Sequence, residues 1–283
     1  MARRGVTGRR DPVAVGAVAV LVLVTALAAA APVVAAVTGH GPDEQLRDSG
    51  LSPAGIPVGP GGEFWLGADG LGRDVAVRIA YGARVSLVAG LGASVLAVVV
   101  GVAVGLVTGY LGGAVDAVLG RLADVALAVP FLLLAIALVS VTGPGLGVSV
   151  LVIAAVSWAP VARLVRGEVL GQREREYVTA ARALGAGRTR VMVAEVLPNV
   201  AGPALVAGTL LVPTAIVLEA TLSFLGLGVV PPTPSWGGML AESVPFYRVA
   251  WWLVVFPGAA LLLVTLAVNL LGDTARDAVG PGR

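Results

Sequence analysis

The sequence has 283 residues, of which 57% are hydrophobic and only 13% are charged, and its formal net charge is +2. A soluble globular domain carries about 25% charged residues, so a chain of this size cannot bury its apolar surface in one water-facing core, and lipid must solvate part of it. The absence of cysteine excludes disulfide frameworks and thiolate metal sites, and the single histidine, His40, has no second imidazole to share a metal, so we expect a loop residue.

Six apolar stretches of the sequence predict membrane-spanning helices. A helix needs about 20 apolar residues to cross a hydrocarbon core of about 30 Å, and isolated strands leave backbone groups unsatisfied in lipid. The stretches cover residues 13–37, 85–108, 122–141, 148–165, 200–222 and 249–271. We therefore predict an all-α polytopic membrane protein with a tail over residues 1–12, a first helix over 13–37, an outer loop over 38–84, a five-helix core over 85–272 and a tail over 273–283.

The first stretch has two interpretations. Basic residues precede it, and Val34-Ala35-Ala36 near its end is typical of a signal-peptide cleavage site. Its apolar run of 25 residues is longer than the about 7 to 15 residues of a signal h-region. This length favours a retained transmembrane helix.

The distribution of arginine predicts the orientation, since the chain contains no lysine. With the N-terminus in the cytoplasm, the inner segments hold fourteen arginines: Arg3, Arg4, Arg9, Arg10, Arg121, Arg163, Arg166, Arg173, Arg175, Arg182, Arg188, Arg190, Arg276 and Arg283. The outer segments hold five: Arg47, Arg73, Arg78, Arg84 and Arg248. This excess follows the positive-inside rule and predicts that both termini are cytoplasmic. The aromatic residues Trp236, Tyr247, Trp251 and Trp252 crowd the outer end of the sixth stretch, as interfacial aromatics do.

Between the fourth and fifth stretches lies a segment that we call the Arg-rich segment, residues 163–190. Tyr177, Ala181 and Leu184 recur at i, i+4 and i+7 and predict a helix with one apolar face. Residues 185–187, Gly-Ala-Gly, are expected to end this helix, because glycine adopts the positive φ of a helix C-terminus.

A second short helix is predicted from Thr189 to the residue before Pro198. A solvated basic loop that only satisfies the positive-inside rule is the plainer interpretation. The broken helix pair and its small alanine side chains favour a docking site for a partner, since small side chains let another surface approach closely.

A few polar or helix-breaking residues fall inside the predicted spans. Glu219 lies near the outer end of the fifth stretch and is expected either to line a gate or interface or to be solvated at the membrane surface. Asp124 follows Arg121 by one turn, so we expect an i, i+3 ion pair. Pro130 and Pro213 are expected to kink the third and fifth spans.

A stripe of small residues runs along the second span. Gly101, Gly105 and Gly109 repeat at every fourth position and so lie on one face of a helix. Such a stripe favours close packing between membrane helices over contact with a solute.

Residues 166–199 resemble the EAA loop of ABC importer membrane subunits, in which Glu-Ala-Ala is followed by a glycine and, later, by Ile-x-Leu-Pro. The pattern falls here, with its spacing kept, on Thr179-Ala180-Ala181, Gly185, Glu195 and Leu197-Pro198. Thr179 replaces the leading glutamate and Glu195 replaces the isoleucine. Glu176, one turn earlier, is available in place of the missing acid.

Further motifs narrow the resemblance to the dipeptide, oligopeptide and nickel permeases. They occur in order among the six predicted spans. They are residues 66–74 (LGADGLGRD), 81–87 (YGARVSL), 173–178 (REREYV), 222–228 (LSFLGLG), 231–237 (PPTPSWG) and 269–273 (NLLGD).

The resemblance implies the type I ABC importer permease fold and one half of a channel in a bacterial inner membrane. The implied partners are a homologous permease that forms a heterodimer with this chain, two cytoplasmic ABC ATPases and an extracytoplasmic solute-binding protein. Nucleic acid is not an expected partner. The chain has no GxxxxGK[ST] P-loop and no lysine to build one. No cofactor is therefore expected on this chain, and ATP and Mg are expected on the partner ATPase subunits.

The resemblance also implies roles for particular residues. ATPase coupling is expected at Glu176, Tyr177, Thr179, Ala180, Ala181, Leu184, Gly185, Glu195, Leu197 and Pro198. The solute pathway is expected to include Glu219 and Pro130. A contact with the binding protein is expected at Asp69, Arg73, Asp74 and Trp236, with an outer salt-bridge cluster as the alternative for the first three. No metal-binding residues are expected.

Two other classes of membrane protein compete with the importer permease. An ion-coupled secondary transporter draws its energy from ionisable residues near mid-membrane, which are nearly absent from these spans. A membrane enzyme needs a polar catalytic cluster or metal ligands, and the sequence contains neither. The sequence therefore favours the importer permease, with peptides as the solute and nickel or another metal chelate as the alternative.

Overall fold

The computed structural model describes residues 12–279. The predicted basic tail with Arg3, Arg4, Arg9 and Arg10, and the final residues 280–283 with Arg283, lie outside the described residues. The helices are α1 Pro12–Ala29, α2 Ala31–Thr38, α3 Arg47–Gly50, α4 Val75–Leu111, α5 Gly113–Ala128, α6 Phe131–Thr142, α7 Leu146–Gln172, α8 Glu176–Ala183, α9 Arg188–Arg190, α10 Leu197–Phe224, α11 Trp236–Ser243 and α12 Trp252–Val279. Within residues 12–279, extended pairing is limited to three isolated bridges, all in the loop before α4.

Five continuous helices are long and apolar enough to cross a membrane, and a bent helix pair brings the number to six. The five are α1, α4, α7, the run from Arg188 to Phe224, and α12 up to Thr274. The sequence predicted the third span as one kinked helix. The structure instead breaks it into α5 and α6, which meet at 92°. Val129 is extended there, because the residue before a proline avoids helical geometry, and α6 starts directly after Pro130.

Two other predicted helix boundaries are wrong. The first apolar stretch is broken at Ala30, and α2 resumes with Pro32 in its first turn, a position that tolerates the missing N–H. The second span begins at Val75 rather than at residue 85, so the last part of the predicted outer loop is helical. Asp74 caps this start, because its carboxylate accepts hydrogen bonds from the backbone N–H groups of Ala76 and Val77.

The centre of the fold is the close contact between α4 and α7. A Cβ atom added at Gly105 would lie 2.6 Å from the Ala162 carbonyl oxygen and 2.7 Å from Val165 Cβ, and Gly101 and Gly109 face α7 in the same way. This observation confirms that the small-residue stripe packs helix against helix. On its other sides α4 contacts α10 and α1, and α12 packs between α10 and α1.

The helix bundle has two distinct ends. At the cap end, the connections 39–74 and 225–251 fold over the helices, and the indole N–H groups of Trp236 and Trp252 donate to the carbonyls of Ile79 and Ala68 at 3.1 and 3.0 Å. At the Arg-rich end, residues 173–187 lie against the end of α4. The prediction of interfacial aromatics is wrong for Trp236 and Trp252, which are buried. Trp236 therefore holds the 225–251 connection onto α4, and Trp252, the first residue of α12, holds the 39–74 connection onto α12.

Candidate functional site

The site begins where α7 runs out of the bundle and the chain turns into the short helix α8. Gly185 ends α8 with a φ of 83°. The Ala186 N–H donates to the Ala181 carbonyl at 3.1 Å, and the Gly185 N–H donates to the Arg182 carbonyl at 3.0 Å. This pair of bonds is the Schellman arrangement, which closes a helix with a left-handed residue. The predicted break at residues 185–187 is therefore confirmed.

One face of α8 packs against the bundle. Val178 is fully buried, and Ala181 and Ala186 pack against the same cluster, which contains Val169 of α7 and Val191 after the turn. The buried face is therefore centred on Val178, which the sequence analysis did not single out. Val178 and Ala181 stand at i and i+3, a spacing that fits a helix face as well as the one that was predicted.

The opposite face of α8 is open. Leu184 is 89% exposed and Tyr177 is 36% exposed, with Thr179 and Ala180 exposed between them. The prediction that Tyr177, Ala181 and Leu184 share one face is therefore wrong. Ala181 turns inward, while the other two turn outward. Leu184 therefore projects from the outer face of a helix whose inner face is packed.

Two arginines fix the helix pair to the end of α4. The Arg182 guanidinium lies 5.1 Å from the Tyr110 ring centroid, and its Nε donates to the Tyr110 hydroxyl at 3.3 Å. Arg173 Nη1 donates to the Gly109 carbonyl at 3.2 Å. Arg173 and Arg182 therefore connect the segment around α8 to the end of α4.

The second helix of the pair continues into the membrane. It starts at Arg188, widens into a π-helical turn over Val191–Val196, and runs on as α10. The prediction that it stops before Pro198 is wrong. The Leu197 N–H donates to the Met192 carbonyl, five residues back, and this wide turn accommodates the proline ring without a break. Glu195 is half-buried in the π turn, and Leu197 packs on the buried cluster.

Two ion pairs join α5 to α7 near the same end. Arg166 binds Asp116 through two bonds of 2.6 Å, and Arg163 Nη2 lies 2.5 Å from Asp124 Oδ1. The predicted pair between Asp124 and Arg121 is therefore wrong. Asp124 pairs with Arg163, 39 positions away in sequence, instead of with Arg121 one turn earlier. A rule based on helical spacing identifies only local pairs.

Glu219 lies fully buried between α4 and α10. Its carboxylate accepts hydrogen bonds from the hydroxyls of Ser86 at 3.2 Å and Ser223 at 2.7 Å, and the Ser223 hydroxyl also accepts the Val229 N–H at 3.1 Å. The expectation of solvation at the membrane surface is therefore wrong. Glu219 ties the start of the 225–251 connection to α4, which agrees with the interface alternative.

The residues expected to contact a binding protein do not form a surface on the described part of the chain. Asp69, Arg73, Asp74 and Trp236 are all buried. Arg73 pairs with Asp69 at 2.6 Å and with Glu242 of α11 at 2.6 Å, which agrees with the salt-bridge alternative for these two residues.

Arg78 belongs to the same charged cluster and was missed. It contacts Glu242 at 3.1 Å and donates to the carbonyls of Pro42 and Pro232. Arg78 is almost fully buried. The cluster therefore holds both loops of the cap end and α11 onto the first turn of α4.

His40 was predicted to be a plain loop residue, but it is buried and bonded. Its Nδ1 lies 2.8 Å from Asp74 Oδ2, its Nε2 lies 3.2 Å from Glu63 Oε1, and its ring stacks on Phe64. Among residues 12–279 no group of three or more potential ligands is arranged to hold a metal ion. His40 therefore fastens the loop to the helix cap.

Comparison with known proteins gives consistent matches. Residues 101–283 match the family described as binding-protein-dependent transport system inner membrane component. The chain is 44% identical over 268 residues to the di/tripeptide transport system permease protein DppC of Pseudomonas aeruginosa, covering 95% of this chain and 88% of that protein. It is 46% identical over 242 residues to the dipeptide transport system permease protein DppC of Escherichia coli K12, covering 86% and 81%.

A more distant curated relative and a solved structure extend the comparison. The chain is 39% identical over 222 residues to the oligopeptide transport system permease protein OppC of Bacillus subtilis, covering 78% and 73%. A chain in a structure of the MetNI methionine ABC transporter, captured in inward-facing conformations, superposes with a TM-score of 0.60 at 17% identity, covering 72% of this chain and 97% of that one. At that identity the likeness shows the fold alone.

Proposed function

The chain belongs to the family of binding-protein-dependent transport system inner membrane components. We propose that it is the permease subunit of an ATP-driven importer of short peptides. We also propose that the movement of the ATPase subunits is transmitted to this chain through α8. Its fold is that of the type I ABC importer permeases. The peptide solute is inferred from the relatives, whose names specify dipeptides, tripeptides and oligopeptides. The names of these relatives do not favour the alternative solute, nickel or another metal chelate.

The exposed face of α8 is the observation that carries the proposal. Leu184 projects from the surface next to Tyr177 and Ala180, while the other face of the same helix is anchored by Val178. A partner protein can therefore bind the exposed face of α8 without disturbing the packing of its buried face. We propose that the partner is a groove on a cytoplasmic ABC ATPase, and that ATP and Mg bind on that subunit.

The coupling follows from the connections of α8. It is continuous with α7 through three residues and with α10 through the Gly185 turn. When the ATPases close together, a push on α8 moves the ends of α7 and α10, and Arg182 and Arg173 pass the displacement to α4. Because interfaces between packed helices switch between discrete arrangements, such a push exchanges inward and outward access as a rigid-body movement.

We assign different partners to the two ends of the bundle. We propose that the Arg-rich end is cytoplasmic, on the positive-inside argument, and that the cap end faces a solute-binding protein. A homologous permease supplies the other half of the pathway. Glu219 and Pro130 remain proposed pathway residues, Glu219 at the interface of α4 and α10 and Pro130 at the sharp bend between α5 and α6.

The docking surface is tested by placing a charge on it. Leu184→Arg and Ala180→Arg each put a guanidinium against a partner groove without entering the chain's own core, so co-purification of the ATPases should fall at least about tenfold. Ile56→Arg is the matched control, because Ile56 is an exposed apolar residue at the cap end. The measurement is the amount of ATPase retained by the tagged permease.

Two results would contradict the proposal. Retention of the ATPases by both variants at the level of the parent would exclude the outer face of α8 as the docking surface. An equal loss in Ile56→Arg would show that any added charge disrupts the assembly. Ala181→Arg is unsuitable for this test, because Ala181 faces the buried cluster and its substitution would damage the fold.

A further inference from the structure

A basic cavity of about 270 Å³ lies between α5 and α7, against the last turns of α4. Three arginines line it, namely Arg121, Arg163 and Arg166, together with Asp116 and Asp124. Nothing in the proposed transport mechanism uses this cavity.

One of the three arginines has no protein partner. Arg166 is held by Asp116 and Arg163 by Asp124, as described above. The Arg121 side chain is exposed and makes no hydrogen bond or ion pair with any other residue between 12 and 279. The lining therefore carries one guanidinium that is not neutralised, pointing to an anionic ligand. Because a guanidinium binds a phosphate through two parallel N–H bonds, phosphate is the anion that it recognises best.

The cavity lies at the level where the membrane core ends. Helix α7 has 27 residues and is therefore about 40 Å long, whereas the hydrocarbon core takes up about 30 Å. Starting at Leu146, about 20 residues of α7 cross the hydrocarbon core. Arg163 and Arg166 therefore lie at the boundary with the lipid headgroups. A basic pocket between membrane helices at this depth suits a lipid headgroup.

We propose that this cavity binds the headgroup of an anionic phospholipid, with its phosphate on Arg121. The two ion pairs keep Arg163 and Arg166 in place as the walls of the cavity, and the lipid completes the charge balance. The proposal requires that the chain spans a membrane. It does not depend on the identity of the solute or on ATPase docking.

The test uses the assembled transporter and defined lipids. The complex is purified in mixed micelles containing equal amounts of phosphatidylglycerol and phosphatidylcholine, and retained lipid is counted by native mass spectrometry. The parent should retain phosphatidylglycerol selectively. Arg121→Ala and Arg121→Gln should retain it about tenfold less, the loss expected for one charge-assisted contact. Arg248→Ala removes an exposed arginine at the cap end and is the matched control.

Several outcomes would overturn the proposal. One is equal retention of the two lipids by the parent, and another is unchanged selectivity in both Arg121 variants. Displacement of phosphatidylglycerol by inorganic phosphate at millimolar concentration would show a free-phosphate site instead. Retention by the isolated chain but not by the complex would show that a partner subunit covers the cavity. ATPase co-purification, followed in parallel, separates these failures from a failure of the proposed function.

Discussion

His40 lies between two carboxylates at the cap end. A neutral imidazole has one N–H and can donate to only one of Asp74 and Glu63, whereas the imidazolium donates to both. Burial alone would lower the pKa of His40, but the hydrogen bonds and charges of Asp74 and Glu63 outweigh it and raise the pKa above its ordinary value. Since Asp74 also caps α4, this proton stabilises the start of the central helix.

The raised pKa of His40 predicts a pH-dependent stability. The stabilisation is fully present below the unfolded-state pKa of about 6.5 and is lost as the pH rises through the higher folded-state pKa. Thermal unfolding of the purified protein should therefore show a midpoint that falls as the pH rises above about 6.5. In His40→Gln, which cannot be charged, this fall should be reduced.

Glu63→Gln is the companion variant for His40. It removes one of the two charges that raise the pKa of His40, so it should shrink the pH effect while leaving Asp74 on the helix cap. An identical pH profile in the parent and in His40→Gln would contradict the account of this proton.

The chemistry of single residues was only partly predictable from the sequence. The role of Gly185 was predicted, because a helix end that needs a positive φ leaves a local signal in the sequence. The roles of His40 and Asp124 were not, and for Glu219 the sequence left two alternatives open. One partner of each lies 34, 39 and 133 positions away in sequence, respectively, and no local pattern contains that information.

Among the elements, the contact of α4 with α7 sets the geometry of the bundle. The Gly105 Cα faces the backbone of α7 so closely that even a methyl group collides with the Ala162 carbonyl. Backbone atoms cannot move aside as a flexible side chain can. This contact therefore requires glycine.

Substitution of two glycines on α4 should give opposite results. Gly105→Ala should lower the thermal unfolding midpoint, with an overpacking cost of about 1–3 kcal/mol that exceeds the gain in helix propensity of about 1 kcal/mol. Gly92→Ala is the matched control on the same helix, because its Cβ meets nothing closer than Val150 at 3.8 Å. The control should be neutral or stabilised, and a stabilised Gly105→Ala would contradict the close packing.

Helix boundaries were less predictable than the existence of the helices. The apolar stretches reveal the spans because lipid demands them. Arg78 and Arg84 made residues 75–84 look too polar for a helix in the membrane, yet Arg78 is paired with Glu242 and Arg84 donates to the carbonyls of Ala28 and Ala29. Tertiary contacts satisfy these charges and allow the helix to start at Val75.

The orientation of α8 also needed the structure. On an eight-residue helix, the set of Tyr177, Ala181 and Leu184 and the set of Val178 and Ala181 both fit helical spacing. The cluster formed by Val169, Val191 and Val196 decides between them, because it buries Val178. The existence of this helix was thus predicted, but the face that it exposes was not.

At the scale of the whole molecule, the central expectation is that the two ends lie on opposite sides of a membrane. The sequence contains no cysteine, so a single introduced thiol reports its own position without background. Ile56→Cys at the cap end and Leu184→Cys on α8 are both exposed sites. In intact cells lacking the partner ATPases, a membrane-impermeant maleimide should label Ile56→Cys at once and Leu184→Cys only after permeabilisation. The reverse pattern would overturn the orientation.

The large-scale organisation was the most predictable from the sequence. Composition alone required a membrane, and the motifs of residues 66–74, 173–198 and 222–237 indicated the family to which the chain belongs. The sequence predicted a kink at Pro130 but not the 92° angle between α5 and α6. A proline signals that a helix is interrupted, whereas the angle depends on how α5 and α6 pack beside α7.

The central claim is that ATP hydrolysis on partner subunits drives peptide passage through movements that enter at the outer face of α8. Uptake of a labelled dipeptide into proteoliposomes tests it most directly, with this chain, its partner permease, the ATPases and the binding protein reconstituted together. The parent should accumulate dipeptide only with ATP, and Leu184→Arg should not accumulate it even with ATP. Parental uptake by Leu184→Arg, or uptake that persists without ATP and follows a proton gradient, would contradict the account.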